Sequence, residues 1–323
     1  MALLITGATG HVGLTTIKMA VGEGIDVLAH HRSPVPRQVR EQFGDRVRWV
    51  HCTLDDAFSV ASALAEHEID SCIHTAAVPN DRLAHPIPWE TVQTNATATA
   101  ALLELARRRT WRRFVYVSTG AVFQNDMDLT QPVLEDHPIS AHSLYASTKA
   151  AGELFVGMYR NQYGLSASTV RISFVYGPPL VPVQRDLPRG PIVAFLREAM
   201  LGIPVRDESG GDFVASFTHV DDVAAGLLAA CKAPTLSQPV YHLGHGRNWT
   251  TFEVAEAVKA AVPGAVVEVG PGTMPWTTFN RMRGPLAGTR LQDEAGFMPS
   301  LPLDKGVAAF AAWMGDNMGQ LQR

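Results

Sequence analysis

Short apolar runs alternate with amphipathic stretches at a regular spacing through the first half of the chain. The runs predict strands at 2–6, 26–30, 46–52, 71–75, 113–118 and 166–172. The stretches between them predict helices at 12–22, 59–66, 88–109 and 145–163. Because the strands are apolar on both faces and alternate with helices, they favour a parallel sheet covered on both sides. We therefore expect an α/β fold built on a doubly wound parallel sheet.

The pattern changes after Tyr176. Residues 177–191 contain five prolines, so no long regular element fits there. Helices are predicted again at 192–201, 220–232, 251–262 and 303–314, with turn-rich segments between them. We expect residues 1–176 to form the sheet domain, together with a return segment near 215–245. Residues 177–323 are expected to form mainly a smaller C-terminal α/β cap over the carboxyl edge of the sheet.

The composition excludes several classes of protein. A net charge of −4 gives no general attraction to nucleic acid or to anionic membranes. Three cysteines without paired spacing predict neither a disulfide framework nor a metal site. The first apolar segment is too short for a signal peptide, and no later segment approaches the length of a membrane span. We therefore expect a cytoplasmic protein that binds no nucleic acid, no membrane and no metal.

The first strand runs directly into a glycine-rich segment that opens the first helix. Glycines there permit a tight turn and close approach of a pyrophosphate, and the free N–H groups of a helix start favour phosphate. The segment could be a structural loop, but its place between the first strand and the first helix favours a dinucleotide. A Rossmann-type NAD(P)-binding domain is therefore expected over residues 1–176. The predicted cofactor contacts here are Gly7, Thr9, Gly10, His11, Val12 and Gly13.

The end of the second predicted strand bears on the choice between NAD and NADP. NAD-dependent proteins usually carry an Asp or Glu there to bind the ribose hydroxyls. This chain has His31, Arg32 and Ser33 instead. Arg32 and Ser33 could bind a 2′-phosphate, with the histidines lining the adenine, or Arg32 could stack on the adenine of NAD. We favour NADP(H) and keep NAD(H) as the alternative.

Tyr145 and Lys149 lie one turn apart at the start of a predicted helix. A tyrosine is a poor base near neutral pH, but a lysine ammonium beside it favours the phenolate. Such a pair can exchange a proton with a substrate hydroxyl while a hydride moves to or from a nicotinamide. The spacing alone is common on exposed helix faces. Ser118 and Thr119, which end the preceding strand, strengthen the interpretation because a hydroxyl there can hydrogen-bond the reacting oxygen.

Taken together, these segments resemble the extended short-chain dehydrogenase/reductase superfamily, the NAD-dependent epimerase/dehydratase family. The matching segments are TGATGHVG (6–13), HTAA (74–77), TNATAT (94–99), YVSTGAVF (116–123), YASTK (145–149), RISFVYGP (171–178), FTHVDDVA (217–224) and TRLQDEAGFMP (289–299). The resemblance implies that Thr119 is the catalytic hydroxyl and that Lys149 also binds the nicotinamide ribose. It further implies cofactor contacts at Leu54, Ala76, Ala77 and Asn95, and a mainly structural role for His219, Asp221 and Asp222.

Two departures from the family pattern narrow the function. Gly120 and Ala121 follow Thr119 where family dehydratases carry an Asp-Glu pair, so dehydration is not expected. Ala215 and Ser216 replace the Arg-Asp pair whose arginine holds a nucleotide-sugar diphosphate, which argues against a UDP-sugar. Arg281 or Arg283 could replace that arginine.

Four further residues are candidates for substrate contact. Arg185 and Arg189 could bind a carboxylate or phosphate, or could form surface ion pairs in the proline-rich loop. His142 could contact the substrate or cap the catalytic helix, and Ser118 could contact the substrate beside Thr119.

The favoured function is hydride transfer to or from a secondary alcohol or carbonyl of a small sugar, sugar acid or related metabolite. The alternative is a nucleotide-sugar 4-epimerase with resident NAD, which uses the same residues. A non-catalytic NADP(H)-sensing regulator is the third option, although such a protein would be expected to lose Tyr145 and Lys149. The resemblance also implies a homodimer formed through the predicted helices near 90–109 and 145–163.

Overall fold

The computed structural model describes residues 2–124, 128–179 and 190–321. In chain order its strands are β1 (Ala2–Thr6), β2 (Val27–His31), β3 (Val47–His51), β4 (Ile69–His74), β5 (Arg113–Thr119), β6 (Ala167–Ile172), β7 (Val175–Tyr176), β8 (Val205–Asp207), β9 (Val214–Ala215), β10 (Thr218–His219), β11 (Val240–His242), β12 (Trp249–Thr250) and β13 (Val267–Val269).

The helices in the same order are α1 (His11–Gly22), α2 (Arg37–Phe43), α3 (Ala57–Ala63), α4 (Asp81–Ala84), α5 (Pro88–Val92), α6 (Ala98–Arg108), α7 (Leu144–Tyr163), α8 (Pro191–Met200), α9 (Val220–Lys232), α10 (Thr251–Ala261), α11 (Arg290–Ala295), α12 (Leu303–Asp316) and α13 (Met318–Leu321). Short 3₁₀ turns cover Gly44–Arg46 and Gly120–Val122. A π-helical turn at Gln93–Thr97 joins α5 to α6, so the predicted helix at 88–109 is one helical stretch with a local irregularity.

Seven parallel strands form the central sheet in the order β3-β2-β1-β4-β5-β6-β11. The strand order reverses between β1 and β4. The connection after β1 leads to β2 on one side, and the connection after β4 leads to β5 on the other side. A crevice therefore opens at the carboxyl ends of these two strands, which is where doubly wound sheets bind their ligands. The predicted α/β class and doubly wound sheet are confirmed.

Apolar side chains cover both faces of this sheet. On one face α1 and α9 pack against each other and against a core that includes Ile5, Ile73 and Leu227. On the other face α3, α6 and α7 enclose a second core that includes Leu4 and Phe114. Successive residues of a strand point to opposite faces, so each buried strand contributes to both cores.

A third apolar core lies in the second half of the chain. Phe195, Phe213, Trp249 and Phe310 are among its buried residues, and helices α8, α10 and α12 surround it. The small strand pairs β8–β13 and β9–β12 lie in the same half of the chain. In the return segment predicted near 215–245, α9 packs on α1 and β11 pairs with β6 of the central sheet, and the division into two domains stays a prediction. None of the helices in the described ranges is both long and apolar enough to span a membrane.

Two glycines of α7 give a matched test of how this helix sits on the sheet. A methyl group at Gly152 would lie 2.2 Å from Oη of the fully buried Tyr116, whereas one at Gly157 would meet no described atom within 4 Å. We expect Gly152→Ala to destabilise the fold by about 1–3 kcal/mol through overpacking. We expect Gly157→Ala to stabilise it by about 0.5–1 kcal/mol through helix propensity. Urea unfolding of both variants would measure the difference, and equal free energies of unfolding would contradict it.

Candidate active site

The glycine-rich turn closes tightly against β4. Gly7 has φ +67°, and a Cβ there would lie 2.8 Å from the backbone N and Cα of Ala76. A Cβ on Gly13 would lie 2.3 Å from the carbonyl oxygen of Gly7. The N-cap residue Gly10 has no side chain to bond the first N–H groups of α1, so these donors are not used by a cap. This cradle fits a dinucleotide pyrophosphate.

The other predicted contacts of the turn lie around this cradle. Thr9 is exposed, while His11 and Val12 are partly exposed at the start of α1. The Nε2 atom of His11 lies 2.8 Å from the carbonyl oxygen of Gly177 and therefore donates to it. His11 thus joins the cofactor turn to the segment that follows β7.

The two histidines at the end of β2 have different surroundings. His30 is buried, accepts a hydrogen bond from the Gly7 N–H on Nδ1 (3.3 Å) and donates from Nε2 to the Cys52 carbonyl (3.0 Å). Burial lowers its pKa to about 4, so the ring is neutral and supports the turn. His31 packs against Trp49. Arg32 and Ser33 are exposed beyond the strand end, and Leu54 is buried after β3.

Helix α7, which carries Tyr145 and Lys149, has a well-formed N-terminus. Ser143 is its N-cap and accepts a hydrogen bond from the Ala146 N–H. The carboxylate of Asp81 accepts hydrogen bonds from the Ser143 hydroxyl (2.8 Å) and from the Tyr145 N–H (3.0 Å). The His142 N–H donates to Gln124 Oε1 (2.6 Å), and its side chain is exposed. The cap is therefore Ser143 and not His142.

Tyr145 faces the end of β5. Burial raises the pKa of Tyr145 to about 12, a hydrogen bond from Thr119 lowers it, Asp81 raises it and Arg283 lowers it. Thr119 Oγ1 also accepts a hydrogen bond from the Ala121 N–H (3.1 Å), which orients the hydroxyl. Thr119 and Tyr145 are thus close enough to act on one substrate oxygen.

Lys149 is buried one turn further along α7. Its Nζ lies 4.1 Å from the centroid of the Tyr116 ring, a cation–π contact. Burial lowers the pKa of Lys149 to about 7, and nearby Glu153 opposes this shift. Burial therefore weakens the usual preference of Lys149 for the ammonium form near neutral pH.

Ser118 does not share the environment of Thr119. It is 2% exposed, and its hydroxyl donates to Glu153 Oε1 at 2.5 Å. Glu153 in turn forms an ion pair with Arg171 at 2.6 Å, and both side chains are 3% exposed. Because neighbouring residues of a strand point to opposite faces, Ser118 joins this buried pair while Thr119 faces the crevice. The hydroxyl of Ser118 is therefore not positioned for the substrate contact predicted from the sequence.

Asn95 joins the loop after β4 to the catalytic helix. Its Oδ1 accepts from the Val78 N–H (2.8 Å), while its Nδ2 donates to the Val78 carbonyl (3.2 Å) and to Thr148 Oγ1 (3.1 Å). In the structure, the Asn95 amide holds the loop around Val78 against α7. The predicted contact of Asn95 with the cofactor stays a prediction. Ala76 and Ala77 begin this loop beside the glycine-rich turn.

The FTHVDDVA segment holds the start of α9. Asp222 is buried and accepts hydrogen bonds from the backbone N–H groups of Ser300 and Leu301, both at 2.9 Å. His219 Nδ1 accepts from the Asp221 N–H (3.2 Å) and caps the helix. These contacts are structural, in line with the role that the resemblance implies.

The candidate arginines for substrate binding differ in what the structure describes. Arg185 and Arg189 lie outside the described residues. Arg281 is exposed, whereas Arg283 is buried beside Tyr145. Sequence reasoning missed Asp81 and Gln124, because nothing in their local pattern signals that distant loops meet at the start of α7.

The doubly wound sheet and the glycine-rich turn at its switch point form a fold of the dinucleotide-binding type, and Thr119 and Tyr145 lie together at the carboxyl ends of its strands. The family model described as "NAD dependent epimerase/dehydratase family" matches residues 3–244. The chain belongs to this family. The predicted family and the prediction that the chain is an enzyme are confirmed.

Similar proteins include both epimerases and dehydratases. UDP-glucose 4-epimerase of Mycolicibacterium smegmatis is 29% identical over 316 residues, 95% of this chain and 96% of the relative. A dTDP-glucose 4,6-dehydratase of Actinoplanes sp. is 26% identical over 330 residues, covering 98% of each chain. The solved UDP-glucose 4-epimerase of Thermus thermophilus in complex with NAD has a TM-score of 0.81 and 25% identity, covering 97% of this chain and 98% of that one.

Proposed function

We propose that this chain is an NAD(P)-dependent oxidoreductase that acts on a secondary alcohol or carbonyl of a small sugar, sugar acid or related metabolite. The observation that carries the proposal is the meeting of Thr119, Tyr145 and Lys149 at the sheet edge that also presents the glycine cradle. Gly120 and Ala121 supply no acid or base beside Thr119, which favours hydride and proton exchange over elimination of water. Residues 177–323 are proposed to form most of the substrate-binding cap.

The residues of the chain account for the proton half of the reaction. When bound, the nicotinamide ring supplies the hydride acceptor or donor. In oxidation, Tyr145 as phenolate takes the hydroxyl proton while the carbinol carbon gives up its hydride and becomes a carbonyl. In reduction, the Tyr145 phenol returns that proton to the carbonyl oxygen. Thr119 donates a hydrogen bond to the same oxygen, and the Lys149 ammonium favours the phenolate.

A nucleotide-sugar 4-epimerase with resident NAD is the second candidate, and the epimerase relatives favour it. The replacement of the Arg-Asp pair by Ala215 and Ser216 disfavours it. An epimerase interconverts UDP-glucose and UDP-galactose without net change in NADH, whereas a dehydrogenase consumes one cofactor per turnover. The retained Tyr145 and Lys149 disfavour the third option, a non-catalytic NADP(H) sensor.

Cofactor choice is tested by titrating the purified protein with NADPH and NADH, followed by nicotinamide fluorescence. We expect a preference for NADPH of about tenfold or more, because Arg32 is exposed at the end of β2 and could bind a 2′-phosphate, and the sequence has no carboxylate at 31–33. Arg32→Ala should abolish the preference, while Arg37→Ala, an exposed arginine on α2, should keep it. Equal binding of both cofactors, or NAD that co-purifies with the protein, would overturn the NADP preference. The second outcome would match the Thermus thermophilus epimerase, which was solved in complex with NAD.

A homodimer through α6 and α7 is also proposed. Leu154 and Tyr163 on α7 are 70% and 53% exposed, which leaves apolar surface on the predicted contact face. Sedimentation velocity at micromolar concentration should show a dimer, and Leu154→Glu should shift it toward the monomer. A wild-type monomer would contradict the proposal. The cytoplasmic location expected from the sequence stays a prediction.

A further inference from the structure

Arg283 is a buried cation that has no buried anion as a partner among the described residues. Its side chain lies in the loop before α11, and the residue is 9% exposed. The guanidinium donates to Ser173 Oγ (3.1 Å) and to the Arg281 carbonyl (3.2 Å). Within the described ranges no carboxylate forms an ion pair with it, and burial lowers its pKa to about 10. Burying an unpaired charge is costly, so the site is incomplete without a counter-charge.

The guanidinium lies beside the end of β5, next to the predicted catalytic residues. A Cβ at Gly120 would lie 2.9 Å from Arg283 Nε, so the guanidinium occupies the space beside the residue that follows Thr119. Arg283 lowers the pKa of Tyr145 and Tyr145 raises that of Arg283, in line with the position of the guanidinium beside Gly120. The Phe174 ring, whose centroid is 5.6 Å from Arg283 Cζ, forms an apolar wall beside it.

Hydrogen bonds hold the Arg283 loop in place. Asn248 Nδ2 donates to the Arg283 carbonyl (2.7 Å), and Asn248 Oδ1 accepts from Ser216 Oγ (2.7 Å). The Val133 N–H donates to the Pro285 carbonyl (2.8 Å) two residues further on. These bonds hold the backbone of the loop, and the bonds to Ser173 and to the Arg281 carbonyl hold the guanidinium itself. The guanidinium therefore loses little conformational freedom when it binds an anion.

We propose that Arg283 binds a carboxylate carried by the substrate close to the reacting carbon, so that the substrates are hydroxy acids and the corresponding oxo acids. A guanidinium has five N–H donors, and the two bonds described use two of them, which leaves donors for a carboxylate. A nucleotide sugar that reacts at C4 carries its diphosphate on C1, across the ring, so a cation beside Tyr145 is poorly placed for that group. The inference rests on the proposed function and names its substrate class.

The test compares hydroxy acids with their methyl esters, which differ only in the charged group. Turnover of a panel of 2-hydroxy, 3-hydroxy and aldonic acids is followed through NAD(P)H absorbance. We expect at least one acid to be converted with a kcat/KM about 100-fold above that of its ester, in line with a buried charge-assisted pair. Arg283→Met should lower kcat/KM for the acid by about the same factor and leave that for the ester within about threefold. Arg206→Met, at an arginine that forms an exposed ion pair with Glu268, should leave both unchanged.

A second measurement does not depend on finding the substrate. Acetate should raise the melting midpoint of the protein–NAD(P)H complex by about 2 °C, whereas inorganic phosphate should raise it less. Arg283→Met should remove the acetate effect, and Arg283→Lys should retain part of it if the first variant folds poorly.

Equal conversion of acids and esters, no conversion of any acid, or an unchanged acetate effect in Arg283→Met would overturn the inference. Interconversion of UDP-sugars with wild-type rates in Arg283→Met would overturn it while leaving the Thr119–Tyr145–Lys149 chemistry intact. Failure of the protein to bind NADPH or NADH would instead remove the proposed function itself.

Discussion

Tyr145→Phe is expected to lower kcat by about 10³-fold while leaving cofactor binding and the fold unchanged. The variant removes one oxygen atom, which is the proposed proton acceptor and donor, and general acid–base groups typically contribute factors of about 10²–10⁴. Cofactor binding should persist because the substitution leaves the glycine-rich turn unchanged. The measurement is steady-state turnover combined with the nicotinamide fluorescence titration.

The pH dependence of the oxidation rate tests the role of Tyr145 as proton acceptor independently. Burial raises the pKa of Tyr145 to about 12, so the phenolate is the minor form near neutral pH. Oxidation of an alcohol requires that form, and its rate in the wild type should therefore rise as the pH rises. The residual rate of Tyr145→Phe should lack this rise. Tyr163→Phe, at the exposed end of the same helix, serves as the control and should behave as the wild type. A Tyr145→Phe variant with more than a tenth of the wild-type kcat would show that another group moves the proton.

Glu153→Ala is expected to destabilise the protein by about 3–5 kcal/mol. The substitution leaves the buried Arg171 guanidinium without its carboxylate and removes the acceptor of the Ser118 hydroxyl. The remaining Arg171 contacts, to the Glu135 carbonyl and to His242, are to neutral groups and do not replace a counter-charge. Urea unfolding would measure the loss, with the slope of the transition checked for two-state behaviour.

Two further variants test whether the loss of stability comes from the broken ion pair and not from substitution in general. Glu41→Ala removes one partner of the exposed pair with Arg37, and no change beyond experimental error is expected. The double variant Glu153→Leu/Arg171→Met removes both buried charges and should recover a large part of the loss, because no unpaired charge remains. A loss below about 1 kcal/mol in Glu153→Ala would indicate that water or a neighbouring group solvates Arg171.

The buried pair also bears on the active site. Glu153 follows Lys149 by one turn of α7 and raises the pKa of that lysine against the effect of burial. Removing Glu153 should therefore shift Lys149 further toward the neutral amine, which would weaken the support for the Tyr145 phenolate. A fold-stabilising contact and the chemistry of the site are thus coupled through one helix.

Local sequence pattern was sufficient for most of the regular elements and for naming the predicted catalytic residues. Strand and helix periods are short-range properties of the chain, so six of the seven strands of the central sheet and the long helices were predicted to within a few residues. The seventh strand, β11, was expected only as part of a return segment near 215–245. The short helix α2 was missed because Arg37–Phe43 is polar and lacks a clear apolar face. The Tyr145/Lys149 pair and the glycine-rich turn are local as well, since each depends on the spacing of residues within a few turns of chain.

The tertiary structure alone decided which residues meet from distant segments. Asp81 reaches the start of α7 from 64 residues away, and Arg283 reaches Ser173 across 110 residues. No local pattern encodes such contacts, because they depend on how loops at the sheet edge pack. The same holds for Ser118, which the sequence placed with Thr119 but whose strand face directs it to Glu153. Thus the sequence by itself determined the fold class and which two residues are predicted to react, whereas long-range packing decided the electrostatic setting of Tyr145 and the buried cation near it.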